Sequence, residues 1–311
     1  MTHALTRLAG LGLCIAVLFR PVGAEALEVF ACEPEWAALA TELGGDKVQV
    51  FSATTARQDP HQIQARPALI ARLRSADLVV CTGAELEIGW MPVLLRQAAN
   101  GRVQPGTPGY LEAAQYVRLL EKPTRLDRAE GDIHPAGNPH IRTDPRNIAA
   151  VATVLARRLA EVDPADNAVF AARNQSFAGR WNAAMQRWAQ QAAPLRGIPI
   201  ATYHKGWAYL AGWLGLREAG TIEPKPGIPP GSQYLAQLET ELPAKGVRGV
   251  IYAAYEDSRA SEFVAERIHV PVIMLPYTVG GTERARDLFG LFDDTIDRLN
   301  RGLAGGVSAK R

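Results

Sequence analysis

Histidine and cysteine are scarce in these 311 residues, at six and three, and the scarcity narrows the chemistry the chain can hold. No C-x-x-C pair is present, which removes thioredoxin-like redox chemistry and thiolate zinc clusters. There is also no G-x-x-x-x-G-K phosphate loop, no H-E-x-x-H and no G-x-S-x-G, so no motif supports an ATP-driven motor, a zincin protease or an α/β-hydrolase. Charge of one sign is missing too. The 34 basic residues stand against 32 acidic ones, a net charge of +2, without the basic blocks that neutralise a phosphate backbone. No nucleic acid partner is expected. What is present is apolar content, 47% of the chain, enough for two domains at roughly 100 to 200 residues each.

The N-terminus, MTHALTRLAGLGLCIAVLFRPVGAEALEV, combines basic Arg7, an apolar run from Leu8 to Phe19 and the small residues Val22-Gly23-Ala24, the layout of a secretory signal peptide. The run is about 12 residues, short of the ~20 that a spanning helix needs. Residues 1–24 are expected to be removed after Ala24, leaving a periplasmic chain. Cys14, in Leu-Gly-Leu-Cys, has the look of a lipoprotein cleavage box, but Leu13 is bulky and the apolar run continues past the cysteine. Cys32 and Cys81 each end a strand-like run, LEVFAC and DLVVC. On neighbouring parallel strands their sulfurs could meet as a disulfide in an oxidising compartment. The alternative is two buried free thiols.

From Leu27 short β-branched runs alternate with helical patterns: LEVFA and a helix over 35–43, VQVFS and a helix over 66–75, DLVVCTG and a helix over 90–99. This alternation is the signature of a parallel sheet covered by helices. Asp144-Pro145 then opens a helix to about Val162, and Asp163-Pro164 opens another that reaches Ala193 with only Gly179 interrupting it. At 1.5 Å per residue such a helix spans ~42 Å and reads as a strut between domains. Alternation resumes with GIPIATY, a helix over 207–214, a strand over 216–222, a helix over 232–242, VRGVIYAAY, a helix over 258–268, VPVIMLPY and a helix over 282–299. The fold class is α/β. Two lobes, each a parallel-rich sheet flanked by helices, are joined by one long rigid helix: signal peptide 1–24, first lobe 25–163, linking helix 164–193, second lobe 194–311.

Three histidines share a type of position. His61 follows VQVFS in the loop TTARQDPH, His140 lies just before the Asp144 helix, and His204 directly follows GIPIATY. In open α/β sheets ligands bind beyond the carboxyl ends of the strands, so these loops could converge on one site. Three imidazoles from separate loops are a zinc arrangement, although each histidine taken alone reads first as a partly buried residue satisfied by hydrogen bonds.

The segments DPHQIQARPALIARLRSADLVVCTGAELEIGWMPVLLRQA, GNPHIRTDPRN and TYHKGWAYLAGWLGL resemble the cluster A-I, or TroA-like, solute receptors of zinc and manganese ABC transporters. The resemblance runs from about Leu27 to Leu299. It implies two α/β lobes on a long rigid helix, and a metal held by His61, His140 and His204. The third ligand tends to be His in zinc receptors and Glu in manganese ones, so His204 implies Zn(II) as the transported ligand. It also implies an inner-membrane permease with a separate ATPase as partners; a metallochaperone is a further candidate partner, and the receptor is expected to act as a monomer.

Two departures stand out. Many members of that family carry an Asp ligand after the last strand of the second lobe, where this chain has Tyr277 and Thr278. The fourth ligand then falls to water, Glu256, Asp257 or Glu283. The long His-rich loop of many zinc receptors is reduced to EKPTRLDRAEGDIHPAGNPH, leaving His134 as an accessory candidate. Asp59 and Asp144 are candidates to orient the imidazoles, with helix capping the plainer reading of Asp144. Glu87 reads as orienting or merely solvated, Trp207 and Trp213 as packing, and His269 as structural. The rival functions are a zinc hydrolase with an open three-His site, a manganese receptor, and a periplasmic zinc chaperone without a permease.

Overall fold

Proline opens most of the helices of the first lobe, where its fixed φ suits the first turn and its missing N–H costs nothing. The computed structural model describes residues 26–127 and 131–304; the signal segment, Cys14 and His3 lie outside the described residues. Strand β1 (Leu27–Ala31) leads to α1 (Pro34–Gly44), β2 (Val48–Ser52) to α2 (Pro67–Ser75), and β3 (Leu78–Cys81) to α3 (Met91–Ala98). A fourth strand, β4 (Tyr110–Glu112), was not expected. Its three residues are too few to show a period of two, and it exists because β3 offers a free parallel edge. The sheet order is β2-β1-β3-β4.

The second lobe repeats this order as β6-β5-β7-β8, again with all neighbours parallel. Its elements are β5 (Pro199–Thr202), α6 (Ala208–Leu214), β6 (Arg217–Thr221), α7 (Ser232–Ala244), β7 (Val250–Ala253), α8 (Arg259–Arg267), β8 (Val272–Leu275) and α9 (Leu288–Ala304). Helix α9 begins six residues later than Thr282. Asp287 stops the earlier turn by accepting from Gly290 N at 2.7 Å, the capping geometry that starts a helix. Thr282 caps only a single turn, accepting from Ala285 N at 3.2 Å while donating to Asp294 Oδ2.

Between the lobes run α4 (Pro145–Val162) and α5 (Asn167–Gln191), the latter preceded by a 3-10 turn at Pro164–Asp166. Twenty-five residues at 1.5 Å each give α5 a length of ~37 Å. It buries Phe170, Phe177, Trp181 and Trp188, and these join one apolar cluster with Val29 and Trp36 of the first lobe and Ile251, Leu275 and Phe292 of the second. Trp181 stacks edge-on to Phe289 of α9 at 4.9 Å and donates its indole N–H to Pro145 O. Truncating a fully buried Trp typically costs about 3–5 kcal/mol, so α5 is an anchor for both lobes. Among the described residues no helix is long and apolar enough to cross a membrane.

Candidate metal site

Two of the three histidines are set by the same local device, an Asx-Pro-His tripeptide. Asp59 Oδ1 accepts from His61 N at 3.0 Å, and Asn138 Oδ1 accepts from His140 N at 2.9 Å. Both are side-chain turns that reverse the chain and need no other element. The first loop is pinned from below by Trp90, whose indole N–H donates to Pro60 O. The second is tied across to the other lobe, where Asn138 Nδ2 donates to Lys205 O and Tyr209 Oη donates to Asn138 O. His204 needs no turn, since it leaves the carboxyl end of β5 directly.

The three rings converge. One ring nitrogen from each of His61, His140 and His204 lies within 4.8 Å of the others, and His140 Nε2 sits 3.0 Å from His204 Nε2. Two tetrahedral ligands at Zn–N distances of ~2.0–2.1 Å are about 3.3 Å apart, so the pair fits a shared ion with a small movement. His61 Nε2 is buried without a hydrogen-bond partner, a costly state unless something fills it. Each Nδ1, by contrast, is held: His61 by Asp59 Oδ1 at 2.7 Å, His204 by Glu223 Oε2 at 2.8 Å, His140 by Tyr277 Oη at 2.7 Å. Such partners orient metal-binding imidazoles and select the tautomer that presents Nε2.

Electrostatics agree with this geometry. Burial, reinforced by the neighbouring imidazoles, holds His140 well below the ordinary histidine range. Burial would depress His204 as well, but the hydrogen bond and charge of Glu223 carry it above its ordinary value. Burial acts against the Asp59 carboxylate, yet its bonds to His61 bring it below the usual carboxylate range.

The other candidates separate. The His134 ring lies tilted 5.3 Å from that of His61, both its nitrogens are buried without a hydrogen-bond partner, and burial takes it down to about 4. Glu256 lies beside the cluster with Oε2 accepting from Ala253 N, and burial pushes it up to about 8. Asp257 is turned outward to an ion pair with Arg259, and Glu283 is exposed on the turn before α9. Neither reaches the histidines, because the residues after β7 and β8 fold back into turns that point them to solvent. Asp144 caps α4 by accepting from Arg146 N and pairs with the Arg146 guanidinium, so its carboxylate is not spent on His140. Trp207 packs against Tyr277 and Trp213 against Trp188. His269 sits in a left-handed turn at φ 56° after α8.

Two partners were missed or misread. Glu223 follows β6, the neighbour of β5 in the sheet, and only that adjacency brings it to His204. Tyr277, noted for the carboxylate it lacks, holds His140. Glu87 is not solvated: it is buried and accepts from Thr82 N and Gly83 N. The Cys32 and Cys81 sulfurs are bonded, since β1 and β3 are parallel neighbours and bring the two Cα atoms to 4.8 Å. A cleft of about 500 Å³ leads from solvent to the rings of His134, His140 and His204.

A family described as zinc-uptake complex component A, periplasmic, matches residues 29–302. The chain is 26% identical to the high-affinity zinc uptake system protein ZnuA of Yersinia pestis over 59% of its own length and 61% of that protein's. It is 24% identical to the protein of the same name from Paracoccus denitrificans, covering 93% of this chain and 94% of that one. The manganese ABC transporter substrate-binding lipoprotein scaA of Streptococcus gordonii is 21% identical, over 89% of each chain. A crystal structure of ZnuA superposes with a TM-score of 0.73 at 24% identity, covering 88% of this chain and all of that one, and so shares its fold.

Proposed function

The chain belongs to the family of periplasmic zinc-uptake complex component A, and from that premise we propose that it captures Zn(II) between its lobes and hands it to an ABC permease in the inner membrane. The observation that carries this reading is the convergence of His61, His140 and His204, with each Nδ1 tied to its own partner. Nitrogen donors suit Zn(II), whereas carboxylate and water oxygens suit Mn(II). The manganese reading has the Streptococcus gordonii relative in its favour, but Asp257 is paired with Arg259, Glu283 is exposed, and Glu256 Oε2 is engaged by Ala253 N. His134, with two unpartnered buried nitrogens beside His61, is the fourth ligand in this reading.

The relatives above are named as high-affinity zinc uptake system proteins and as a substrate-binding lipoprotein of a manganese ABC transporter, which favours transport over the hydrolase reading. The segments 25–163 and 194–311 act as the two jaws, with 164–193 as their common spine, and residues 1–24 direct export to the periplasm. The receptor works as a monomer, and a separate ATPase drives the permease.

Calorimetric titration of the metal-free protein tests the reading. One tight zinc site, lost or severely weakened in His140→Ala and weakened less in His134→Ala, is the expected result. An unchanged affinity in His140→Ala, or manganese bound more tightly than zinc, would overturn it.

A further inference from the structure

His140 differs from the other two histidines in what holds it. The rings of His61 and His204 each lean on a carboxylate, Asp59 or Glu223. The turn residue before His140 is Asn138, whose Oδ1 serves the His140 backbone N–H and whose Nδ2 serves Glu121 and Lys205. Nothing in that turn is left for the imidazole Nδ1. Its partner comes instead from the end of β8 in the other lobe, the hydroxyl of Tyr277 at 2.7 Å.

Tyr277 is held there at a cost. Its backbone adopts φ 66°, a left-handed conformation that a bulky side chain rarely takes. Strain of this kind persists only where the surroundings fix it, and it clusters at functional sites. Here the surroundings are an Arg142 guanidinium 5.0 Å over the phenol ring, the edge of Trp207 at 5.0 Å and the ring of Tyr255 at 5.4 Å. Arg142 is itself paired with the fully buried Glu35. A run of contacts thus leads from α1 through Arg142 and Tyr277 to His140.

The chemistry of the ring assigns the hydrogen bond a direction. A neutral imidazole carries one proton, and a ring that offers Nε2 to a metal must carry it on Nδ1. A phenol hydroxyl can donate to a bare Nδ1 or accept from Nδ1–H; with Nε2 offered to a metal only the second is possible, so in that arrangement the Tyr277 oxygen accepts. A carboxylate at this point would do the same, but it would add a third negative charge to those of Asp59 and Glu223, whose two charges already balance a divalent cation.

We propose that Tyr277 is the positioning residue for His140: its hydroxyl accepts the Nδ1 proton, holding the ring in the tautomer whose unprotonated Nε2 faces His204 Nε2 and is open to a metal, and does so without adding charge to the site. The proposal rests on the three-histidine reading given above.

Tyr277→Phe keeps the ring beneath Arg142 and removes only the acceptor. Zinc affinity is expected to fall about 10–100-fold, the range found for partners of this type, while the metal-free variant melts near wild type. Long-range 1H–15N spectra of the metal-free wild type should place the His140 proton on Nδ1, and those of the variant should show a mixture of tautomers. Wild-type affinity in Tyr277→Phe, or a wild-type His140 protonated on Nε2 alone, would overturn the assignment of Tyr277 and leave the zinc site standing. Failure of the wild type to bind zinc would overturn both. If Tyr277→Phe does not fold, the wild-type tautomer decides.

Discussion

The Nε2 atoms of His140 and His204 stand 3.0 Å apart although the two residues are separated by 64 positions and approach from opposite lobes. Neither side chain can be moved without disturbing the other, and each is fixed from behind by a partner of its own. The consequences are testable.

Removing a partner should loosen the metal without removing a ligand. Asp59→Ala and Glu223→Ala are each expected to weaken zinc binding about 10–100-fold, because the freed imidazole can rotate and change tautomer. His269→Asn is the matched control, since Asn tolerates the left-handed backbone at that position and should bind as wild type. Competition against a chelator of known affinity measures all three; equal affinities throughout would show that the carboxylates do not orient the rings.

Acidification should release the ion. A proton on Nε2 excludes the metal, and His204, raised by Glu223 against the effect of burial, takes up a proton at a higher pH than an ordinary histidine. Affinity therefore begins to fall as pH drops through that raised value. In the metal-free protein the sign for stability is opposite. The folded state binds this proton more tightly than the unfolded chain, so the contribution of His204 is complete below pH ~6.5 and is lost as pH rises through the raised value. Glu223→Gln should move the onset of metal release to lower pH, as zinc titrations between pH 8 and 5.5 would show. An affinity that increases on acidification would contradict this account.

The pair of Arg142 and Glu35, 1% and 0% exposed with Nε and Oε1 at 2.5 Å, should dominate a stability scan. Glu35 also receives the Thr278 hydroxyl, so it joins α1 to the turn after β8. Glu35→Gln leaves a buried guanidinium without its countercharge, which typically costs about 3–5 kcal/mol. Replacing both partners with apolar residues should cost less than Glu35→Gln alone. Urea denaturation of the metal-free proteins gives both numbers.

The disulfide closes a loop of sequence separation 49, and loop-closure entropy predicts about 4 kcal/mol of stabilisation from a loop of that size. Cys32→Ala with Cys81→Ala should lower the unfolding free energy by an amount of that order yet retain zinc binding, since neither sulfur touches the three histidines. A double variant that folds normally but binds no zinc would connect the two sites in a way their separation does not explain.

Much of the molecule was legible from short-range rules. Proline at the helix starts, alternating strand and helix periods, and the tripeptides Asp59-Pro60-His61 and Asn138-Pro139-His140 each act within a few residues. They gave the α/β class, the long central helix and the three histidines. Helix α9 was displaced because Thr282 and Asp287 both offer a capping side chain, and only the turn from Asp287 continues as a helix.

What tertiary structure decided is which distant ends of strands lie side by side. The order β6-β5-β7-β8 puts Glu223 behind His204 and Tyr277 behind His140, and turns Asp257 and Glu283 away. The order β2-β1-β3-β4 does the same for Cys32 and Cys81. Strand order follows from burying both sheets against α1, α4, α5 and α9 at once, a condition on the whole chain that no local stretch records. The sequence therefore singled out the three imidazoles as metal candidates, and the packing of two sheets on one helix decided that they converge and what holds each of them in place.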